Sequence, residues 1–180
     1  MILKKGKAAV FLDRDGTINI DYGYVYQKDK LRFIDGSIEA LRLLQQNGYL
    51  LIIVTNQSGV ARGYFTIEEL EDFHRYMIKE LQMNNVMVDG IYYCPHLEGC
   101  NCRKPKLGLF YQAQKEFKID FSLSYVIGDK LRDLSLCEVE PVKGILLCED
   151  KKNIVPQFNN ITICKDLLHA SHIIVNKDEE

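Results

Sequence analysis

The chain has 180 residues, a formal net charge of -2 and an apolar share of 47%, which fits one soluble globular domain and excludes a disordered or fibrous architecture. Lysine and arginine do not outnumber aspartate and glutamate, so the basic face that nucleic acid demands is lacking and no nucleic-acid partner is expected. No run approaches the roughly 20 apolar residues that cross a bilayer, and the opening MILKKGKAAVFLDRDG has charges around its short apolar run without a small-residue cleavage site; a cytoplasmic protein with no membrane partner, monomeric by default, is expected.

In chain order, residues 8 to 12 form a continuous apolar run that stops abruptly at Asp13, as in a buried parallel strand whose C-terminal end carries function. Residues 18 to 34 are irregular and tyrosine-rich; Asp35 can then cap a helix in which Ile38, Leu41 and Leu44 recur at helical spacing, and Gly48 ends it. A second buried strand over residues 49 to 54 breaks into the polar loop Thr55-Asn56-Gln57-Ser58-Gly59. Thr66 and Glu69 make a capping box, and Phe65 and Leu70 sit at staple spacing, which predicts a helix over residues 67 to 83. A third strand over about residues 88 to 93 leads into a cysteine-rich loop and a helix from about residue 107 to 117. The fourth strand, residues 125 to 127, is closed by Gly128-Asp129, and residues 145 to 147 and 161 to 163 look like further strands. Residues 165 to 180 read as a weakly organised tail whose charged KDEE end is no retention signal. No linker interrupts the chain, so one domain over residues 1 to 180 is expected.

Strands alternating with helices predict an α/β fold: an open, mainly parallel sheet with helices on both faces, which binds ligands outside the carboxyl ends of its strands. The polar clusters at residues 13 to 17, 55 to 58, 103 to 104 and 128 to 130 would then converge on one edge. No segment is long enough for a separate cap domain, so loops must shape the pocket.

Asp13 and Asp15 stand two residues apart at a strand end, which lets one carboxylate attack an electrophile while the other moves a proton on the leaving group. Covalent catalysis by a carboxylate suits phosphoryl groups, because the acyl phosphate is itself reactive toward water. Two anions beside a phosphate repel it, so a hard cation is required, and Mg2+ is the expected ion. Asp129 follows a strand in the same manner and supplies a third carboxylate, while Gly16 permits a tight turn beside the ion. Thr55 and Lys104 fall at matching strand or loop ends.

Residues 94 to 102, CPHLEGCNC, gather Cys94, His96, Cys100 and Cys102 immediately before Arg103 and Lys104. Three thiols and one imidazole are a closed structural set for Zn2+, with no position left open for catalysis. Such an ion would fix the loop that aims Lys104. Cys137, Cys148 and Cys164 lie among apolar neighbours and read as core fillers. His74, among charged residues on the long helix, reads as a surface histidine, as do His169 and His172.

The strings FLDRDGTIN, VTNQSG, RKP at residues 103 to 105 and VIGDKLRD resemble the four signature motifs of the haloacid dehalogenase superfamily, over residues 8 to 148. The resemblance implies a haloacid dehalogenase-like, Rossmann-like phosphatase. It makes Asp13 the nucleophile and Asp15 the general acid and later the base. Thr55, Arg103 and Lys104 complete the catalytic set, with Thr55 and Lys104 gripping the phosphoryl oxygens. Mg2+ would be held by Asp13, Asp129 and the main-chain carbonyl of Asp15. A hydroxyl and an ammonium aimed at the equatorial oxygens suit a transition state with spread charge.

Within the superfamily, the zinc loop together with NQSGVARG and IYYCPH is similar to the D-glycero-D-manno-heptose 1,7-bisphosphate 7-phosphatases, which make heptose precursors of cell-surface polysaccharides. That likeness implies a small phosphorylated sugar as partner. Asp21, Tyr22, Gly23, Tyr24, Asn56, Gln57, Ser58, Arg62, Arg103 and Lys130 are the residue types to bind its hydroxyls and second phosphate. Histidinol-phosphate phosphatases share the same loop and are the alternative enzyme reading. A zinc-stabilised binding module that has lost turnover is the alternative outside enzymology; the intact Asp13, Asp15, Lys104 and Asp129 argue against it.

Overall fold

The computed structural model describes residues 6 to 149 and 160 to 177. The readings made on the first five residues and on the charged C-terminal end lie outside the described residues. Among the described residues six strands form one sheet: β1 (Ala9–Leu12), β2 (Leu50–Asn56), β3 (Gly90–Cys94), β4 (Tyr125–Gly128), β5 (Lys143–Leu147) and β6 (Ile161–Cys164). Every pairing is parallel and the order is β3-β2-β1-β4-β5-β6. Among the described residues four α-helices accompany it: α1 (Ser37–Gln46), α2 (Ile67–Met83), α3 (Gly108–Phe117) and α4 (Leu167–Lys177).

The pleat splits β1 between two cores. Val10 and Leu12 join Leu51, Ile53, Ile127 and Ile145 on one face, under Leu41 and Leu44 of α1, Phe73 and Met77 of α2 and Ile174 of α4. Ala9 and Phe11 join Ile52, Val54, Val126 and Leu146 on the other, under Leu109, Phe110 and Ala113 of α3. Both faces are therefore covered, which is why the central strands read as unbroken apolar runs. No second layer of elements caps the sheet edge among the described residues.

α2 has the predicted bounds. Glu69 N donates to Thr66 Oγ1 at 3.2 Å and Thr66 N to Glu69 Oε2 at 2.8 Å, while Phe65 and Leu70 are buried as the staple requires. Asp35, by contrast, does not cap α1. The N-cap is Gly36, at φ 79°, with no side-chain hydrogen bond, because the chain enters the helix through a left-handed turn that favours glycine. Gly48, at φ 83°, lies just beyond the end of that helix, as expected.

The tail reading is corrected. Residues 167 to 177 form α4, which packs on α1 with Leu167, Ala170 and Ile174 buried. Asp166 starts it, its Oδ1 accepting from His169 N at 2.7 Å. A capping aspartate followed by apolar residues at i, i+3 and i+7 was a legible helix signal, outweighed in the sequence reading by nearness to the terminus. His169 and His172 are exposed on this helix.

Candidate active site

In the strand order 3-2-1-4-5-6 the winding reverses between β1 and β4, and ligands bind in the crevice at that point. Asp13 follows β1 and Asp129 follows β4, and Asp13 N donates to Ile127 O at 3.0 Å, which sets the two strand ends side by side. Gly16 then folds the chain back at φ 80°; a Cβ there would lie 2.6 Å from Asp129 Oδ2, so no side chain fits.

Lys104 enters from the loop after β3 and is buried. Its Nζ donates to Asp13 Oδ1 at 2.8 Å and to Val54 O at 2.6 Å and lies 2.9 Å from Asp133 Oδ1. Burial works against the ammonium, but the two carboxylates outweigh it and raise its pKa. Asn56 fixes the backbone beneath: Lys104 N donates to its Oδ1 at 2.9 Å and its Nδ2 donates to Lys104 O at 3.0 Å. Asn56, expected to bind substrate, therefore has its amide committed to placing Lys104.

Carboxylate oxygens of Asp13, Asp129 and Asp133 lie within 4.8 Å of one another. Burial raises the pKa of Asp13, with Lys104 opposing and Asp133 adding to the rise. Burial likewise raises that of Asp129, against Lys130. Asp129 Oδ1 is buried without a hydrogen-bond partner among the described residues. An orphaned carboxylate oxygen inside an all-oxygen cluster fits a hard divalent cation. Asp133, absent from the sequence reading, stands one turn after Asp129 in VIGDKLRD, a signal that spacing could have supplied.

The Asp15 side chain does not join that cluster. Arg14 faces it with Nε and one terminal nitrogen, the shortest contact being 2.8 Å, while Asn19 Nδ2 donates to Oδ1 and Gln57 Nε2 to Oδ2, each at 2.9 Å. Gln57 also donates to Thr55 Oγ1 at 2.9 Å, which ties Thr55 to the same group. Arg14 is fully buried and His74, on α2, is 5% exposed. The surface reading of His74 is thus overturned: the charged neighbours in sequence point outward while its own position on the helix faces Arg14. Burial and the Arg14 charge lower its pKa to about 3. Arg14 was given no role in sequence, since nothing local to an arginine between two aspartates marks it as buried.

A cavity of about 300 Å³ opens over these groups, lined by Asp13, Asp15, Asp21, Gly23, Tyr24, Thr55, Asn56, Gln57, Ser58, Arg62, Arg103, Lys104, Lys130, Arg132 and Asp133. Tyr22 does not line this cavity but the neighbouring one, which Gly23 and Tyr24 line as well. Asp21 Oδ1 accepts from Gly23 N at 2.8 Å and its Oδ2 lies 3.5 Å from Lys130 Nζ, which is also 3.3 Å from Asp129. Arg103 donates to His96 O at 3.2 Å. Arg132, missed in sequence, joins Arg62, Arg103, Lys104 and Lys130 as a cation of the cavity lining.

The cysteine and histidine ligands gather as expected. Cys94 Sγ lies 3.6 Å from Cys100 Sγ, 3.0 Å from Cys102 Sγ and 3.6 Å from His96 Nδ1. Tetrahedral ligands at Zn–S distances are separated by about 3.8 Å, so the set needs little adjustment to close on a metal ion. None of the six cysteines forms a disulfide; Cys137 and Cys164 are buried and Cys148 half-buried.

A family model described as polynucleotide kinase 3 phosphatase matches residues 8–132. The chain is 50% identical over 161 residues to the D-glycero-beta-D-manno-heptose-1,7-bisphosphate 7-phosphatase of Haemophilus ducreyi, covering 84% of this chain and 88% of that one. It is 42% identical over 167 residues to the protein of that name from Escherichia coli, with 88% and 87% covered. Among solved structures, the D,D-heptose 1.7-bisphosphate phosphatase of B. bronchiseptica, complexed with magnesium and phosphate, has a TM-score of 0.85 at 29% identity, covering 94% of this chain and 99% of that one. With such identity over most of both lengths, and with the four motifs gathered at one sheet edge, the chain belongs to the D-glycero-beta-D-manno-heptose-1,7-bisphosphate 7-phosphatase family of the haloacid dehalogenase superfamily.

Proposed function

We propose that the chain removes the 7-phosphate of D-glycero-β-D-manno-heptose 1,7-bisphosphate through a covalent phosphoenzyme at Asp13. The observation that carries this reading is the buried Asp13–Lys104–Asp133 group at the strand ends, with Asp15 and Thr55 at the same cavity. An Asp13 carboxylate oxygen bonds to phosphorus as the bond to the C7 oxygen breaks, and Asp15 gives that oxygen its proton. Asp15 then takes a proton from water, whose oxygen attacks phosphorus; the acyl phosphate bond breaks, releasing inorganic phosphate and restoring Asp13. Thr55 and Lys104 hold the transferring oxygens.

Asp13, Asp129 and the Asp15 carbonyl, with Asp133 beside them, would hold Mg2+, which when bound offsets the repulsion between carboxylates and phosphate. Cys94, His96, Cys100 and Cys102 would hold a structural Zn2+ that steadies the loop before Lys104. Arg62, Arg103, Lys130 and Arg132 suit the second phosphate, and Asp21, Gly23, Tyr24, Gln57 and Ser58 the sugar. The same reading makes this one catalytic domain, a cytoplasmic monomer whose partner is a soluble sugar phosphate, without nucleic acid or membrane. The names of the curated relatives support the substrate and its β anomer.

Asp13→Asn tests the mechanism. Phosphate release is expected to fall at least ~1,000-fold while the circular dichroism spectrum and zinc content stay unchanged; undiminished release overturns the proposal. Comparing kcat/KM for the heptose bisphosphate and histidinol phosphate tests the substrate, and preference for histidinol phosphate refutes it.

A further inference from the structure

We propose that His74 is a positioning residue for the reaction, holding the carboxylate of Asp15 in line through the guanidinium of Arg14. This rests on the assignment of Asp15 as proton donor to the leaving oxygen.

Arg14 is 0% exposed, so each of its donors must find a partner within the protein. One terminal nitrogen donates to Asp15 Oδ2 at 2.8 Å and to Val25 O at 2.6 Å, and Nε completes the approach to the carboxylate at 3.1 Å. The other terminal nitrogen meets His74 Nε2 at 3.0 Å. The guanidinium carbon stands 4.9 Å from the Phe73 ring centroid.

Arginine has no acceptor, so the imidazole must accept. His74 therefore carries its proton on Nδ1 and stays neutral, as burial and the adjacent guanidinium require. The guanidinium is a rigid plane. Pinning one end on His74 fixes the direction from which the other end grips Asp15. Asn19 and Gln57 meet the two carboxylate oxygens separately, so rotation of Asp15 would break contacts with three residues. His74 is 60 positions from Arg14 and touches no group assigned to substrate. Its hydrogen bond to the fork is its polar link to Asp15, while its other ring contacts, with Phe73 and Tyr93, are apolar.

Loss of the acceptor would leave a buried N–H unpaired and let the guanidinium turn. Displacing a proton donor by ~1 Å costs up to about 100-fold in rate. That cost falls on leaving groups that need a proton. A sugar alkoxide needs one; p-nitrophenolate does not.

The test compares kcat/KM, which reports the step up to release of the first product, for heptose bisphosphate and p-nitrophenyl phosphate in the full-length protein with Mg2+. His74→Phe is expected to lower the value for the sugar about tenfold or more and that for the aryl phosphate no more than about twofold. His74→Gln, which keeps an acceptor, is expected to restore the sugar value to within about threefold of the wild type. Equal losses on both substrates, or no loss on the sugar, overturn the proposal. Should His74→Phe not fold, Arg14→Lys is expected to give the same split. If neither folds, the pair serves only the fold and the proposal falls. A wild-type protein that hydrolyses neither substrate instead sinks the phosphatase reading, and this inference with it.

Discussion

A buried imidazole beside a buried guanidinium has no room for a second positive charge, and this ties His74 to the pH dependence of stability. In the folded chain its pKa is lowered to about 3, by burial first and by Arg14 second, against about 6.5 in an unfolded chain. Between those values the unfolded state binds more protons, so stability rises with pH across the window and is lost as pH falls from 6.5 toward 3. The full separation corresponds to about 4–5 kcal/mol. Denaturant unfolding at half-unit steps from pH 7 to 4 is expected to show a steeper loss for the wild type than for His74→Gln. The difference between the two curves isolates His74 from the carboxylates that titrate in the same range. Parallel curves would show that the imidazole titrates alike in the folded and unfolded chain.

At the scale of elements, the loop between β3 and α3 joins two jobs that the sequence places back to back. Cys94 ends β3, and His96, Cys100 and Cys102 follow within the loop that delivers Lys104. Asn56, on the last position of β2, clamps the main chain of Lys104 from the other side. A metal ion closing the four ligands would hold one end of this loop as Asn56 holds the other. If zinc occupies this set as proposed, stripping it with a chelator and then restoring Mg2+, or substituting Cys102→Ser, is expected to lower kcat. A loss of about 3 kcal/mol would move Tm by about 6–12 °C in a chain of this length. Metal analysis, calorimetry and turnover on the same samples check it. Unchanged kcat in zinc-free protein would separate the loop from the positioning of Lys104.

For the whole molecule, the sheet divides the apolar interior into two layers, and the carboxylates of Asp13 and Asp129 stand where both end. α4 closes one layer: Ile174 is 0% exposed among Leu41, Leu44 and the β1 side chains. Ile174→Ala is expected to cost about 2–5 kcal/mol in urea unfolding while leaving turnover below the transition unchanged. A cost under about 0.5 kcal/mol would return residues 167 to 177 to the status of a loose tail.

The sequence by itself determined what short-range pattern encodes. Unbroken apolar runs marked the covered parallel strands, Thr66 and Glu69 set the start of α2, and each strand end announced a polar group. The four zinc-type ligands lie within nine residues, so composition alone gathered them. Only the tertiary structure decided which of these groups meet and which charges are buried. Arg14 and His74 are 60 positions apart, and Lys104 and Asp13 are 91; no local rule joins them. The burial of Arg14 follows from its enclosure by His74, Phe73 and the Val25 carbonyl, which no local pattern shows. Asn56, which lines the cavity, also braces the Lys104 backbone 48 positions away, a role no local pattern shows. Propensity and hydrophobic period are properties of neighbouring residues, whereas desolvation and charge pairing depend on chain segments that only folding brings into contact.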